Sequence, residues 1–132
     1  MRVGFVNGCF DILHVGHIRL FEYAKSMCDY LVVAIDSDER VRANKGVKRP
    51  FNCLEDRKLM LSSLRCIDEV KSFSTDDELA SLVMNIVPDV MVVGDDYMDK
   101  RVIGSEYAKE LKFYRKVDGY STTKILESAV SW

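Results

Sequence analysis

One joint near the N-terminus constrains this chain more than any other stretch. The apolar segment from Val3 to Val6 predicts a buried strand. A helical pattern follows, with one apolar stripe made by Ile18, Phe21, Ala24 and Cys28. Residues 7 to 17 therefore join a strand to a helix. Such a joint offers unpaired backbone N–H groups and the positive end of a helix dipole, which attract phosphate.

The joint contains both histidines of the chain, His14 and His17. A helix that begins near Leu13 places both imidazoles on one face of its first turn, because they are three residues apart. Paired imidazoles can donate hydrogen bonds to charge that grows on a phosphoryl group. Gly8 permits a tight turn, and Gly16 lets a bulky anion come close. Packing or surface histidines are the alternative, but the spacing behind a glycine turn favours phosphoryl chemistry.

Charge and length narrow the kind of ligand. The chain has 132 residues, enough for one domain, and a formal net charge of −2. That charge gives no net attraction to nucleic acid or to an acidic membrane. No apolar stretch approaches the roughly 18 to 20 residues that a membrane span needs. We therefore expect one cytoplasmic domain, residues 1–132, that binds a small phosphorylated molecule.

Apolar runs alternate with helical patterns along the whole chain. The predicted strands are Val3 to Val6, Tyr30 to Ile35, Glu69 to Phe73, Val90 to Val93 and Lys112 to Tyr114. This alternation predicts an α/β fold: a Rossmann-like, doubly wound sheet of five parallel strands with helices on both faces. Ligands of such sheets bind at the carboxyl ends of the strands. The histidine joint and the acidic residues after the second and fourth strands should share one cleft there.

Polar residues mark the predicted helix starts. The expected N-caps are Asp36 or Ser37, Asn52, Ser74 or Thr75, and Ser105, the last opening a helix that runs to about Leu111. The four cysteines, Cys9, Cys28, Cys53 and Cys66, lack the paired spacing of zinc or redox sites. They are expected to be buried thiols, except for Cys9, for which partial exposure is expected. Cys9, in the phosphate loop, is either a small filler or a target of alkylation or oxidation.

Residues 42 to 50 carry four or five positive charges with a glycine, a proline and no periodicity, which predicts a mobile basic loop. A solvated charge run is one interpretation. A lid over phosphates is favoured, because a mostly acidic chain has few other cations for a triphosphate. In the next helix Arg57 projects from the apolar face and needs an anionic partner. That partner is either a carboxylate (Asp11, Asp38 or Asp68) or the phosphates of a nucleotide.

A hydroxyl triplet, Ser121, Thr122 and Thr123, opens the last helix behind Gly119. Side-chain hydroxyls and free backbone amides together suit phosphate oxygens, whereas simple capping needs only one hydroxyl. Lys116 adds a cation.

Two motifs carry a family resemblance. Residues 8 to 17, Gly-Cys-Phe-Asp-Ile-Leu-His-Val-Gly-His, resemble the G-x-F-D-x-x-H-x-G-H signature of the cytidylyltransferase-like nucleotidyltransferases. Residues 119 to 125 resemble the second signature, which ends in S-T-T-K-I. The resemblance covers essentially the whole chain. It is strongest to the heptose-1-phosphate adenylyltransferase domain, and next to glycerol-3-phosphate cytidylyltransferase, whose Gly-Asp-Asp-aromatic run is similar to residues 94 to 97.

The resemblance implies a set of site residues. Lys45 would contact the reacting phosphate beside the catalytic His14 and His17. Asp38 and Lys48 are weaker candidates for substrate binding. Asp95 and Tyr97 would border the sugar and base, although adjacent acidic residues also form turns. The nucleotide-binding set is Gly8, Cys9, Phe10, Asp11, Gly16, Arg57, Asp95, Tyr97, Lys116, Gly119, Ser121, Thr122 and Thr123.

The expected reaction is transfer of a nucleoside monophosphate from ATP to a sugar phosphate of the heptose 1-phosphate type, with release of pyrophosphate. Mg²⁺ is expected with the nucleoside triphosphate, and no resident metal. One alternative is a CTP-dependent enzyme acting on glycerol 3-phosphate or a similar polyol phosphate. Another is a nucleotide-binding module without turnover. The resemblance further implies a homodimer, and a sugar kinase step on another chain.

Overall fold

The computed structural model describes residues 1–115 and 122–130, the last stretch without the side chains of residues 122, 123 and 130. The strands are β1 (Val3–Gly8), β2 (Tyr30–Asp36), β3 (Glu69–Phe73), β4 (Val90–Gly94) and β5 (Leu111–Tyr114). The helices are α1 (Val15–Ser26), α2 (Asp38–Lys45), α3 (Leu54–Ser62), α4 (Asp76–Ile86) and α5 (Thr122–Val130). All five predicted strands are confirmed to within two residues at either end.

The five strands form one parallel sheet in the order β3-β2-β1-β4-β5. The chain moves outward from β1 through β2 to β3, then crosses back to β4 on the other side of β1. Strand order therefore reverses between β1 and β4, whose pairing sets Gly4 opposite Val90. Ligands of open parallel sheets bind beyond the carboxyl ends of the strands at such a reversal. The predicted doubly wound fold is confirmed.

Side chains of alternate strand residues face opposite sides of the sheet, and each side has its own core. On one side Val6 and Val33 pack with Phe21 of α1 and Leu61 of α3. On the other, Phe5, Val32 and Met91 pack with Leu79 and Val83 of α4. Helices thus cover both faces, and the central strands β1, β2 and β4 are largely apolar on both sides because both of their sides are buried.

Three predicted boundaries differ from the structure. Helix α2 continues to Lys45, so the first part of the predicted basic loop is helical. The N-cap of α3 is Cys53, because the side chain of Asn52 bonds instead to the carbonyl of Asp11. Ser105–Tyr107 makes a single 3-10 turn, and no helix runs on to Leu111.

The tertiary structure ends that turn early. Backbone bonds from the Lys109 N–H to the Pro88 carbonyl and from the Met91 N–H to the Glu110 carbonyl carry the chain into β5. Contacts with the sheet thus hold the residues after Tyr107 in an extended path, although the local sequence pattern predicts a helix there. Ser37 and Thr75 cap α2 and α4 as predicted, each accepting a hydrogen bond from a backbone N–H in the first turn.

Candidate active site

The two histidines meet at the start of α1. His14 is the N-cap residue, so the helix begins at Val15 and not near Leu13. The two rings are stacked, with centroids 3.7 Å apart and planes inclined by 23°. The predicted shared face is therefore confirmed. The backbone N–H of His14 donates to Nδ1 of His17 at 3.3 Å, which places the proton of a neutral His17 on Nε2.

Phe10 packs against His17 of this pair. Its ring is buried, lies edge-on to His17 with centroids 5.2 Å apart, and contacts Phe21. A Cβ on Gly8 would lie 2.9 Å from the Phe10 ring, so the glycine is needed for this close approach. The residue with a left-handed backbone conformation is Phe10 (φ 47°), and not Gly8, for which the sequence predicts the tight turn. Phe10, predicted to bind nucleotide, is a core residue that positions His17.

Asp11 is also buried, with 1% of its surface exposed. Its two carboxylate oxygens accept the backbone N–H groups of Phe51 (2.6 Å) and Asn52 (2.7 Å). Nε of Arg49 lies 3.6 Å from the same carboxylate. These contacts occupy both oxygens. Asp11 thereby fixes the chain that enters α3, and its contact with nucleotide stays a prediction.

Arg57 pairs with a carboxylate, one of the two kinds of partner predicted for it. Its side chain has no exposed surface and forms an ion pair with Asp38 at 2.7 Å. The same guanidinium donates to the carbonyl oxygens of Cys9, Asp36 and Asn52. The carboxylate alternative is therefore the one observed. A guanidinium without exposed surface cannot also contact nucleotide phosphates in this conformation.

Lys45 ends α2 and is exposed, and its charge acts on two groups at the carboxyl edge of the sheet. Burial raises the pKa of the Cys9 thiol, and the positive charges of Lys45 and Arg57 oppose that shift. Burial likewise raises the pKa of Asp36, against the charges of Arg40, Lys45 and Arg57. We call residues 9–14, between β1 and α1, the histidine loop. Lys45 is thus close enough to this loop to influence the pKa of Cys9. Lys48 follows on the exposed part of the basic segment.

Residues after β4 reach the same edge of the sheet. Asp95 and Tyr97 lie in the 3-10 turn Asp95–Tyr97, with Asp95 half-buried and Tyr97 exposed. The ammonium of Lys100 lies 5.7 Å from the centre of the Tyr97 ring. Gly16 occupies the first turn of α1. Since β1 and β4 are parallel neighbours, the histidine loop and this turn flank the point where strand order reverses.

Part of the predicted site lies outside the described residues. Lys116, Gly119 and Ser121 are not described, and Thr122 and Thr123 are described only as backbone in the first turn of α5. Among the described residues, no three His, Cys, Asp or Glu side chains are grouped so that they could hold a metal ion. No helix in that part of the chain is both long and apolar enough to cross a membrane.

The partners of Asp11 cannot be foreseen from the sequence, whose pattern predicts Asn52 as a helix cap and places Arg49 in the basic loop of residues 42 to 50. The signal for Arg57 was present, since an arginine on an apolar helix face requires a partner. For Asp11 there was no comparable signal, because its partners are backbone amides some forty residues away. Cys9 is half-buried, in line with the partial exposure expected for it, whereas Cys53 is exposed and Cys28 and Cys66 are half-buried, against the expectation that these three are buried.

Comparison with known proteins adds to this geometry. Residues 5–128 match the family described as Cytidylyltransferase-like. The "Bifunctional protein HldE" of Helicobacter hepaticus is 45% identical over 96% of this chain and 26% of that protein. The protein of the same name from Sulfurimonas denitrificans is 48% identical over 96% of the chain and 26% of its own length. The chain spans about a quarter of the length of these curated relatives.

Solved structures agree on the architecture. A lipopolysaccharide core biosynthesis protein from Thermoplasma volcanium superposes with a TM-score of 0.72 at 26% identity, covering 89% of this chain and 99% of that one. A pantoate-beta-alanine ligase from Francisella tularensis superposes with a TM-score of 0.60 at 19% identity, covering 96% of this chain and 68% of that one. The second likeness concerns the fold alone.

Proposed function

The chain belongs to the cytidylyltransferase-like family of nucleotidyltransferases, and from this membership we propose that it transfers the adenylyl group of ATP to heptose 1-phosphate, releasing pyrophosphate. The observation that carries the proposal is the stacked His14–His17 pair at the N-terminus of α1, beside the reversal of strand order. Helix N–H groups and two imidazoles directed to one place suit a phosphate that gains negative charge during reaction.

The reaction needs no protein nucleophile. A phosphate oxygen of the acceptor attacks the α-phosphorus of ATP, a new O–P bond forms, and the bond from the α-phosphorus to the bridging oxygen breaks. The electron pair of that bond leaves with pyrophosphate. Catalysis then consists of holding the reactants in line and stabilising charge. His14 and His17 donate to the α-phosphate and the leaving group, and Lys45 neutralises the pentacoordinate state. Ser121 to Thr123 and Lys116 seat the β- and γ-phosphates.

Mg²⁺ is proposed to enter with the nucleotide. The carboxylates of Asp11 and Asp38 are engaged by backbone amides and arginines, and the described residues form no metal cluster. This donor set fits a cation held mainly by the triphosphate itself. Such a cation neutralises charge on the departing pyrophosphate. We also propose a cytoplasmic location and, from the family resemblance, a homodimer, which light scattering of the purified chain would test.

The acceptor and the base can be decided in one experiment. Two curated relatives bear the same name, and the resemblance of the chain to the heptose enzyme favours ATP with heptose 1-phosphate. The run Gly94-Asp95-Asp96-Tyr97 favours the alternative, CTP with glycerol 3-phosphate. Pyrophosphate release is measured for each nucleotide with each acceptor. Preference for ATP and heptose 1-phosphate is expected, and preference for CTP would replace the adenylyl assignment.

Replacing either histidine tests the chemistry. His14→Ala and His17→Ala are each expected to lower kcat about a hundredfold or more, since each removes a donor to developing charge. Arg19→Ala, at an exposed position of the same helix, is the control and should stay near wild type. If turnover of both histidine variants stays within a few fold of wild type, the assigned roles are wrong. Tight nucleotide binding without pyrophosphate release by the wild-type chain would favour a non-catalytic module.

A further inference from the structure

Two charged side chains are buried among the described residues, Asp11 and Arg57. Neither has surface left for a ligand. Burial of a charge is costly unless hydrogen bonds replace the lost water, and a buried ion pair is weak evidence for stability by itself. Their role is therefore better sought in what their hydrogen bonds hold together.

Arg57 holds the start of one segment. It pairs with Asp38, the first residue of α2, and donates to the carbonyl of Asp36, the last residue of β2. The same guanidinium donates to the carbonyl of Cys9 in the histidine loop at 3.1 Å. The beginning of α2 is thus joined to the loop that carries His14.

Asp11 holds the end of the same segment. This residue of the histidine loop accepts the amides of Phe51 and Asn52 and lies beside Arg49. Arg57 also donates to the carbonyl of Asn52, so both ends of residues 38–52 meet at one guanidinium. We call residues 38–52 the tethered segment.

Between its two ends the tethered segment is largely exposed. Residues 42 to 48 all face solvent, and Gly46 has a backbone φ of 102° with nothing within 4 Å of a Cβ placed there. Lys45 lies in this exposed part. It follows the first half of α2, which is held by the pairing of Asp38 with Arg57 and by the buried Val41. Its position relative to the histidines therefore depends on how the ends of the tethered segment and this first half of α2 are held.

We propose that Asp11 and Arg57 are positioning residues that tie both ends of the tethered segment to the histidine loop, and thereby place Lys45 over the reacting phosphate. The proposal rests on the proposed function, because it assigns Lys45 a part in nucleotidyl transfer. It also gives the aspartate of the G-x-F-D motif a structural task in place of a contact with nucleotide.

Asp11→Asn is the principal test. An asparagine can accept from one of the two amides, but its own NH₂ group faces the other. We expect kcat to fall about ten- to a hundredfold, as misplaced groups typically cause, with a small change in KM for ATP. Asp89→Asn is the matched control, because Asp89 also accepts a backbone amide (Val3, 2.7 Å) beside a cation, at the opposite edge of the sheet. Its kcat should stay within about twofold of wild type.

A double-mutant cycle separates positioning from general weakening of the fold. In a Lys45→Met background Asp11→Asn should lower kcat by less than about threefold, since the group it positions is already gone. An equal loss in both backgrounds would overturn the proposal. Arg57→Lys, which keeps the charge without the four directed bonds, is the second variant and should show the same non-additivity if Asp11→Asn fails to fold.

Amide hydrogen exchange tests the tether without any substrate. The amides of Phe51 and Asn52 should exchange at least about tenfold faster in Asp11→Asn than in wild type. Unchanged exchange would overturn the inference whatever the activity. Faster exchange in a chain whose wild type releases no pyrophosphate with any of the four substrate pairs would refute the proposed function and leave the tether standing.

Discussion

At the residue scale, the signature motif combines two kinds of residue that the sequence alone does not tell apart. His14 and His17 are half-buried with their rings stacked, whereas Phe10 and Asp11 of the same motif are buried in contacts with the protein itself. The motif therefore combines the two proposed catalytic histidines with residues that pack or hydrogen-bond inside the protein. Gly8 belongs to the second kind, since it leaves the space that the Phe10 ring fills.

Gly8→Ala tests that steric role. The added Cβ would meet the Phe10 ring at 2.9 Å, so we expect a loss of about 1–3 kcal/mol in the free energy of unfolding, as overpacking causes. Urea denaturation measures it. Phe10→Leu removes the clashing ring, so Gly8→Ala should cost less in that background than in wild type. An undiminished cost would show that the glycine is needed for another reason.

The reactivity of Cys9 follows from its surroundings. Burial raises the pKa of its thiol, so at pH 7.5 it holds less thiolate than a free cysteine. We expect iodoacetamide to modify the exposed Cys53 first, and the rate at Cys9 to rise about tenfold per pH unit below its pKa. Peptide mapping by mass spectrometry measures both rates. Modification of Cys9 as fast as Cys53 at pH 7.5 would contradict this and support the view of Cys9 as a target of inhibition.

At the scale of the elements, strands were predicted more accurately than helix ends. The five predicted runs became five strands, and the three central ones show the reason: parallel strands buried on both faces need a continuous apolar sequence. Helix ends depend on distant partners. Asn52 has the side chain of a cap residue, yet Asp11 engages it, and the turn at Ser105–Tyr107 stops where pairing with β4 begins.

Asp89 links the N-terminal ends of β1 and β4, because its carboxylate accepts a hydrogen bond from the backbone N–H of Val3. The hydrogen bond from the Val3 N–H, together with Lys109, lowers the pKa of this carboxyl below its usual value. A lowered folded-state pKa stabilises the protein above the unfolded pKa, near 4, and that stability is lost as the pH falls through the folded pKa. We expect Asp89→Asn to lower Tm at pH 6, with the difference from wild type shrinking below about pH 4. A difference independent of pH would contradict this assignment.

At the scale of the whole molecule, sheet order decides where chemistry can occur. With β1 and β4 adjacent, the histidine loop, the start of α2 and the turn after β4 all reach one edge of the sheet. The proposed site additionally requires the hydroxyl triplet at the start of α5, a hundred residues further along the chain. That meeting remains a prediction.

Coupling between the two ends of the chain can be measured directly. If His17 and Ser121 contact one triphosphate, the losses in ATP binding free energy caused by His17→Ala and Ser121→Ala should be non-additive by about 0.5–3 kcal/mol. Isothermal titration of the two single variants and the double variant provides the values. Additivity within about 0.5 kcal/mol would indicate two groups that do not share a ligand.

The sequence by itself determined the strands, the α/β class, the histidine pair and the inward direction of Arg57. These follow from local spacing and from the burial of apolar side chains away from water. Only the tertiary structure decided which groups of the protein Phe10, Asp11 and Arg57 contact. Phe10 fills the space beside Gly8, Asp11 accepts the amides of residues 51 and 52, and Arg57 donates to the carbonyls of Cys9, Asp36 and Asn52. Backbone groups are the same in every residue, so no pattern of side chains reveals which of them a buried charge will meet.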